Sequence, residues 1–151
     1  MYRISISAHA DSYYDQLIPD DSIAEFRKKY TVSVRGRRRF TKNMLRRLNS
    51  PNWHVLVAAD KKNIFGYTTA ELDGVVLDLK GLFILPAYQK MGIGSSLMTS
   101  ILELTESSTP TRLLVLSKNE AAKKLYTKYG FKYIGRGESS FFGASQDVME
   151  R

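Results

Sequence analysis

Between His54 and Leu85 the chain fits three apolar, β-branched runs into thirty-two residues, separated only by Asp60–Asn63 and Asp73-Gly74. Runs that close can satisfy their backbones only by pairing with one another. His54–Ala59, Ile64–Leu72 and Val75–Leu85 are therefore predicted as successive antiparallel strands, with Asp73-Gly74 as a tight turn and Pro86 as the stop. The chain then alternates. Gly92 to about Glu106 reads as a helix with Ile93, Leu97, Met98, Ile101 and Leu102 on one face. After Pro110, the near-continuous apolar run Leu113–Leu116 suits a strand buried on both faces. Asn119 can cap a last helix with Ala122, Leu125, Tyr126 and Tyr129 inward, and Gly130 supplies its left-handed stop. Phe131–Gly135 and about Ser145–Met149 read as closing strands.

The first fifty residues read differently. Tyr2–Ser7 is predicted as a strand, and Asp11 to Leu17 as a short helix ended by Pro19. Ser22 and Glu25 have capping-box spacing, which predicts a helix over Ile23–Tyr30. Gly36 and the like charges around Val34–Arg39 predict an irregular link. Thr41 then opens a helix with Met44, Leu45 and Leu48 on one face, closed by Asn49-Ser50-Pro51. The expected fold is α/β (α+β): a mixed, largely antiparallel sheet of about six to seven strands with helices on both faces. No repeat or linker divides it, so residues 1–151 are read as one domain.

Composition narrows the chemistry. A chain of 151 residues can bury a core without staples, and with no cysteine it has neither a disulfide framework nor a thiolate nucleophile. His9 and His54 lack a nearby carboxylate pattern, so no metal site is expected. No apolar run approaches eighteen residues and MYRISISAHA lacks the layout of a secretory signal, which predicts a cytoplasmic protein with no membrane contact. The net charge of +8 is concentrated. Arg27, Lys28, Lys29, Arg35, Arg37, Arg38, Arg39, Lys42, Arg46 and Arg47 fall in one acid-free segment, leaving thirteen bases against fifteen acids elsewhere. Such a block either is a solvated surface or attracts phosphates, an acidic acceptor or nucleic acid.

Gln89-Lys90-Met91-Gly92-Ile93-Gly94-Ser95, after a strand and opening a helix, has the form of a phosphate cradle. The dinucleotide fingerprint requires a third glycine, and Leu97 stands there; the ATP-binding loop requires Gly-Lys-Ser/Thr, which is absent. Leu82-Phe83-Ile84-Leu85-Pro86-x-x-Gln89-x-x-Gly92-x-Gly94 resembles the acetyl-coenzyme A signature of the GCN5-related N-acetyltransferases (GNAT). Asn119-x-x-Ala122-x-x-x-Tyr126-x-x-x-Gly130-Phe131 resembles that family's later motif, and the order of elements agrees from Met1 to Met149.

The resemblance implies an acetyl-CoA-dependent N-acetyltransferase acting by direct transfer to a primary amine. It implies that Phe83 and Ile84 offer backbone groups to the pantetheine arm, with Leu82 beside the acetyl carbonyl. The N–H groups of Gln89, Lys90, Met91, Gly92, Ile93, Gly94 and Ser95 would hold the pyrophosphate, while Lys90 either meets the 3′-phosphate or is simply solvated. Tyr126 is either the acid that protonates the leaving sulfur or a packed core tyrosine. Asn119 either bonds the pantetheine or only caps its helix. As general base, Asp78 is favoured as lying four residues before Leu82 on the same side of one strand; Glu71, His54 or water are the alternatives. The implied partner is an amine acceptor, anionic or protein-linked, small molecule or protein N-terminus, held between the basic segment and the 135–146 connection with Arg136, Glu138, Phe141, Phe142 and Gly143. A homodimer is left open. The competing reading is a non-catalytic RNA- or ribosome-binding protein that uses residues 27–47.

Overall fold

The computed structural model describes residues 34–138 and 145–151, the first four by their backbone alone. The expected elements Tyr2–Ser7, Asp11–Leu17 and Ile23–Tyr30, and the rim residues Phe141, Phe142 and Gly143, lie outside that range.

The elements in chain order are α1 (Val34–Leu48), β1 (Trp53–Ala59), β2 (Ile64–Leu72), β3 (Leu77–Ile84), a 3₁₀ turn (Pro86–Tyr88), α2 (Ile93–Leu102), β4 (Thr111–Leu116), α3 (Glu120–Lys128), β5 (Lys132–Arg136) and β6 (Gln146–Glu150). The six described strands form one sheet in the order β1-β2-β3-β4-β6-β5. Every pairing is antiparallel except β3 with β4. This is the mixed, largely antiparallel α/β sheet that the strand meander and the β-α-β alternation predict.

Side chains assign the faces. Ala70, Leu77, Leu79, Leu113, Val115 and Met149 form a buried cluster with Met98 and Ile101 of α2 and Tyr126 of α3. Phe131 closes it, its ring centroid 5.9 Å from that of Tyr126. On the opposite face Met44 of α1 packs with Tyr67, and Phe40, Val55, Phe83 and Leu85 surround them. Helices therefore cover both faces.

Local chemistry moves three expected boundaries. The Asp73 carboxylate accepts from the N–H groups of Val75 and Val76 at 3.1 and 2.9 Å, so these residues belong to the turn and β3 begins at Leu77. Helix α2 stops at Leu102 instead of Glu106: its C-cap Glu103 still donates to Thr99 O, and a separate turn follows in which Thr109 N–H donates to Glu106 O. Residues Val34–Arg39 are helical, correcting the expected irregular link. One glycine and a few like-charge pairs cost a helix only about 1 kcal/mol and a few tenths each, which the burial of Met44 outweighs. Leu45 and Leu48, expected to share Met44's face, are instead 54% and 57% exposed.

The register creates two features that position the site. Parallel pairing of β3 with β4 covers only Leu77–Thr111, Asp78–Arg112 and Leu79–Leu113. Beyond Leu79 the two strands part, leaving a gap flanked by β3 residues 80–84 and β4 residues 114–116. At the same point β3 bulges: Ala70 pairs with Leu79 and Thr69 with Gly81, so Lys80 is the extra residue. An extra residue reverses the alternation of faces that follows it.

Candidate active site

The gap opens on the α2/α3 face into a cavity of about 340 Å³ lined by Leu82, Ile84, Gln89, Lys90, Gly92, Gly94, Ser95, Asn119, Ala121, Ala122, Leu125 and Tyr126. Two sequence segments thirty residues apart thus meet in one cleft, one from the β3–α2 loop and one from the first two turns of α3.

The loop is built to present backbone donors. Lys90 has φ 60° and Gly92 has φ 83°, so left-handed residues alternate along it. That alternation turns successive N–H groups to one side as an anion-binding concavity. Tyr88 and Gln89 donate within the 3₁₀ turn, and Ser96 donates to Gly92 O at 2.9 Å. Between them the N–H groups of Lys90, Met91, Gly92, Ile93, Gly94 and Ser95 donate to no described group. The last three are the free donors of the α2 N-terminus, where the helix dipole also favours an anion.

The two glycines serve different ends. A Cβ on Gly92 would meet no protein atom within 4 Å, and the positive φ of 83° is what calls for glycine there. A Cβ on Gly94 would point between Leu125 Cδ2 at 3.4 Å and Leu82 Cδ2 at 4.0 Å, so any larger side chain fills the cleft itself.

Tyr126 sits at the base of this cleft. It is 7% exposed, and its hydroxyl has no hydrogen-bond partner among the described residues. Burial away from water disfavours the phenolate and pushes its pKa up to about 12. Asn119 accepts from Ala122 N–H at 3.1 Å and is the N-cap of α3. Gln89 Nε2 donates to Ile84 O at 3.4 Å, closing the strand end over the loop.

Phe83 departs from expectation. Leu85 N–H donates to Phe65 O at 2.8 Å, so by alternation Phe83 also directs its backbone groups to β2, while Leu82 and Ile84 direct theirs into the gap. Its ring turns to the α1 face and lies 5.1 Å from Tyr67. Met91 is 66% exposed, and neither it nor Ile93 lines the cleft with a side chain.

The face assigned to Asp78 also needs correction. Because of the Lys80 bulge, Leu77, Leu79 and Leu82 share the α2/α3 face, whereas Asp78 and Phe83 share the α1 face. Asp78 lies directly across from Glu71, and the Lys80 ammonium lies 2.9 Å from Asp78 Oδ2 and 3.7 Å from Glu71 Oε2. Like charges opposite one another in a sheet repel, and the bulged lysine relieves that. His54 pairs with Ala70 on the α2/α3 face and is brought near neither carboxylate. On the α1 face a second cavity, of about 600 Å³, is lined by Asp78, Lys80, Arg112, Leu114, Ile134, Arg136, Gln146 and Val148 together with Leu79, Leu113 and Gly135. Lys80 and Leu114 stand where β3 and β4 part, so this cavity meets the gap from the other side.

Two anchors of the cleft carry no sequence signature. The Tyr129 hydroxyl donates to Ser95 O at 2.7 Å and lies 3.1 Å from Thr99 Oγ1, joining α3 to the first turn of α2. The Asp147 carboxylate accepts from Ser117 Oγ at 2.6 Å and pairs with Lys123 Nζ at 2.7 Å, while Lys123 also reaches Ser117 O. That network holds Asp147 below the usual carboxylate range, first through the Lys123 hydrogen bond and then through Ser117. The same pair raises Lys123. A side chain three residues before Tyr126 is thereby fixed to the residue that follows β4 and to β6.

Residues 11–143 match the family model described as an acetyltransferase (GNAT) domain. The chain belongs to the GNAT acetyltransferases. It is an acetyl-CoA-dependent N-acetyltransferase. Solved structures of similar fold include the PaiA N-acetyltransferase of Thermoplasma acidophilum in complex with coenzyme A, 18% identical, covering 99% of this chain and 89% of that one with a TM-score of 0.73. The Escherichia coli ribosomal-protein-S18-alanine N-acetyltransferase is 18% identical over 72% of this chain and 74% of its own, with a TM-score of 0.62. Arabidopsis thaliana Naa50 with the bisubstrate analogue CoA-Ac-MVNAL is 20% identical over 64% and 71%, with a TM-score of 0.58. No match was found among curated proteins. The six free donors and the space kept open at Gly94 fit the diphosphate and arm of coenzyme A. No described helix is long and apolar enough to cross a membrane, and the described residues contain no cluster of metal-ligating side chains.

Proposed function

We propose that this GNAT domain, spanning residues 1–151, transfers acetyl directly to a primary amine that enters from the α1 face, the amine being carried on a protein, a peptide or an otherwise anionic molecule. The carrying observation is the gap beyond Leu79–Leu113, with a cavity against it on each face of the sheet. Two substrates that approach from opposite faces can react without a covalent enzyme intermediate.

Acetyl-CoA, when bound, supplies an activated thioester carbonyl. The N–H groups from Lys90 to Ser95 would hold its diphosphate, and the backbone groups of Leu82 and Ile84 would hold its arm. Tyr126 Oη carries a proton that its burial retains, and would supply it to the leaving sulfur. Asp78 lines the acceptor cavity, whereas Glu71 does not. Lys80 occupies Asp78 Oδ2 and leaves Oδ1 without a described partner, open to take the proton of the amine.

The acceptor's character rests on charge. Seven of the fifteen residues of α1 are Lys or Arg and none is acidic. The carboxylates nearest the gap are already paired with Lys80. A polycation would meet the repulsion of that helix. A thiol-release assay across unblocked peptides, amino phosphates and spermidine tests this. Turnover of peptides or anionic amines with spermidine inert is the expected result, and preferential turnover of spermidine would overturn it.

A further inference from the structure

The outward face of α1 is accounted for by neither cavity. Taking Met44 as the inward direction and 100° per residue, Arg38, Arg39, Lys42 and Arg46 all project within about 60° of the opposite direction. All four are exposed, and none forms an ion pair among the described residues. Arg38, Lys42 and Arg46 follow one another at intervals of one turn, about 6 Å each, so the charges form a row about 12 Å long. Arg47 differs from these: its guanidinium lies 4.2 Å from the centroid of Trp53, and its buried Nε has no hydrogen-bond partner among the described residues. Loss of solvent on burial lowers its pKa. Arg47 therefore fixes α1 to β1, while the other four face outward.

We propose that this row is a docking surface for the phosphate backbone of a nucleic acid. A linear row of cations suits a linear polyanion better than a single small anion, and guanidinium groups meet phosphate oxygens in pairs. A membrane surface fits less well, because a lipid-seated helix presents apolar residues at the centre of its exposed face. Here Leu45 and Leu48 lie to one flank, and the centre is Lys42 and Arg46. The acetylated amine would then belong to a protein bound to nucleic acid. That consequence rests on the acceptor reading above; the docking itself does not.

Fluorescence anisotropy with a labelled single-stranded RNA, a single-stranded DNA and a duplex DNA tests the proposal on the whole chain without any acceptor. With four phosphate contacts the logarithm of affinity should fall against the logarithm of salt with a slope of about −3 for single strands, or roughly fifty-fold between 50 and 200 mM. A stronger RNA than DNA signal identifies RNA as the source, and the reverse identifies DNA. The combined variant Arg38→Gln/Lys42→Gln/Arg46→Gln should flatten the slope to about −0.7 and weaken binding tenfold or more, with its acetyl-CoA thermal shift retained as the check on folding. Arg47→Gln should lower Tm but leave that slope unchanged. Salt-insensitive binding, equal binding by the combined variant, or binding to phosphatidylserine vesicles or polyglutamate in preference to nucleic acid would each overturn the proposal. If turnover fails for every amine while the slope stands, only the acceptor reading is lost.

Discussion

The Tyr129 hydroxyl donates a 2.7 Å hydrogen bond to the backbone carbonyl of Ser95, so the end of α3 fixes the first turn of α2. Tyr129 and the helix carrying Tyr126 are thereby joined to the loop that presents six free N–H groups. Removing that hydroxyl should loosen the donors without touching the reacting atoms. Tyr129→Phe is expected to weaken acetyl-CoA binding by roughly 0.5–1.5 kcal/mol, about two- to tenfold, with kcat changed less. Calorimetric titration against steady-state rates checks this.

Tyr126 should show the reverse. Tyr126→Phe removes a proton donor and little volume, so turnover should fall by about a hundredfold or more while acetyl-CoA affinity holds. Turnover equal to wild type would remove Tyr126 from the acid role.

The buried phenol also predicts a pH dependence. Its folded pKa of about 12 lies above the ordinary value of 10, so the unfolded state loses this proton first as pH rises. Stability attributable to Tyr126 should be intact below pH 10 and decline between pH 10 and about 12, by roughly 2–3 kcal/mol in all. Alkaline denaturation of wild type against Tyr126→Phe should show a steeper loss in the wild type.

Asp147 gives the acid-side counterpart. Its pKa is depressed by Lys123 and Ser117, so its contribution is present above the ordinary carboxylate pKa and is lost as pH falls through the lower folded value. Asp147→Asn should cost roughly 1–2 kcal/mol at neutral pH, a fall of about 2–8 °C in Tm. That loss should shrink toward acid pH, which thermal melts across pH would reveal.

Much of this architecture is legible in the residues because local signals and tertiary packing agree. Asp73-Gly74, Pro86, Gly92 and Gly130 each mark a break that the backbone requires, and the apolar faces of α2 and α3 are both buried. The bulge at Lys80 has no such signal. Nothing in Leu79-Lys80-Gly81 specifies an extra residue, and that one residue moves Asp78 to the opposite face from Leu82. Helix α1 was obscured for another reason: Gly36 and a run of like charges oppose helix locally, and only contact with Tyr67 and Val55 makes Met44 and Phe40 decisive. Tyr129 read as one inward residue among several, because its partner is a backbone carbonyl thirty-four positions away. Asp147 carries no more signal, since its partners are Lys123 on α3 and Ser117 in the loop after β4, both distant in sequence.

The most direct measurement of the central claim is a calorimetric titration of acetyl-CoA into wild type and Gly94→Glu. The account predicts saturable binding by the wild type and at least a hundredfold loss in the variant, because the new side chain enters the space between Leu82 and Leu125 and brings a negative charge to the phosphate donors. The variant's Tm without ligand should stay within a few degrees of wild type. Undiminished binding by a folded Gly94→Glu protein would contradict the assignment of this cleft to coenzyme A.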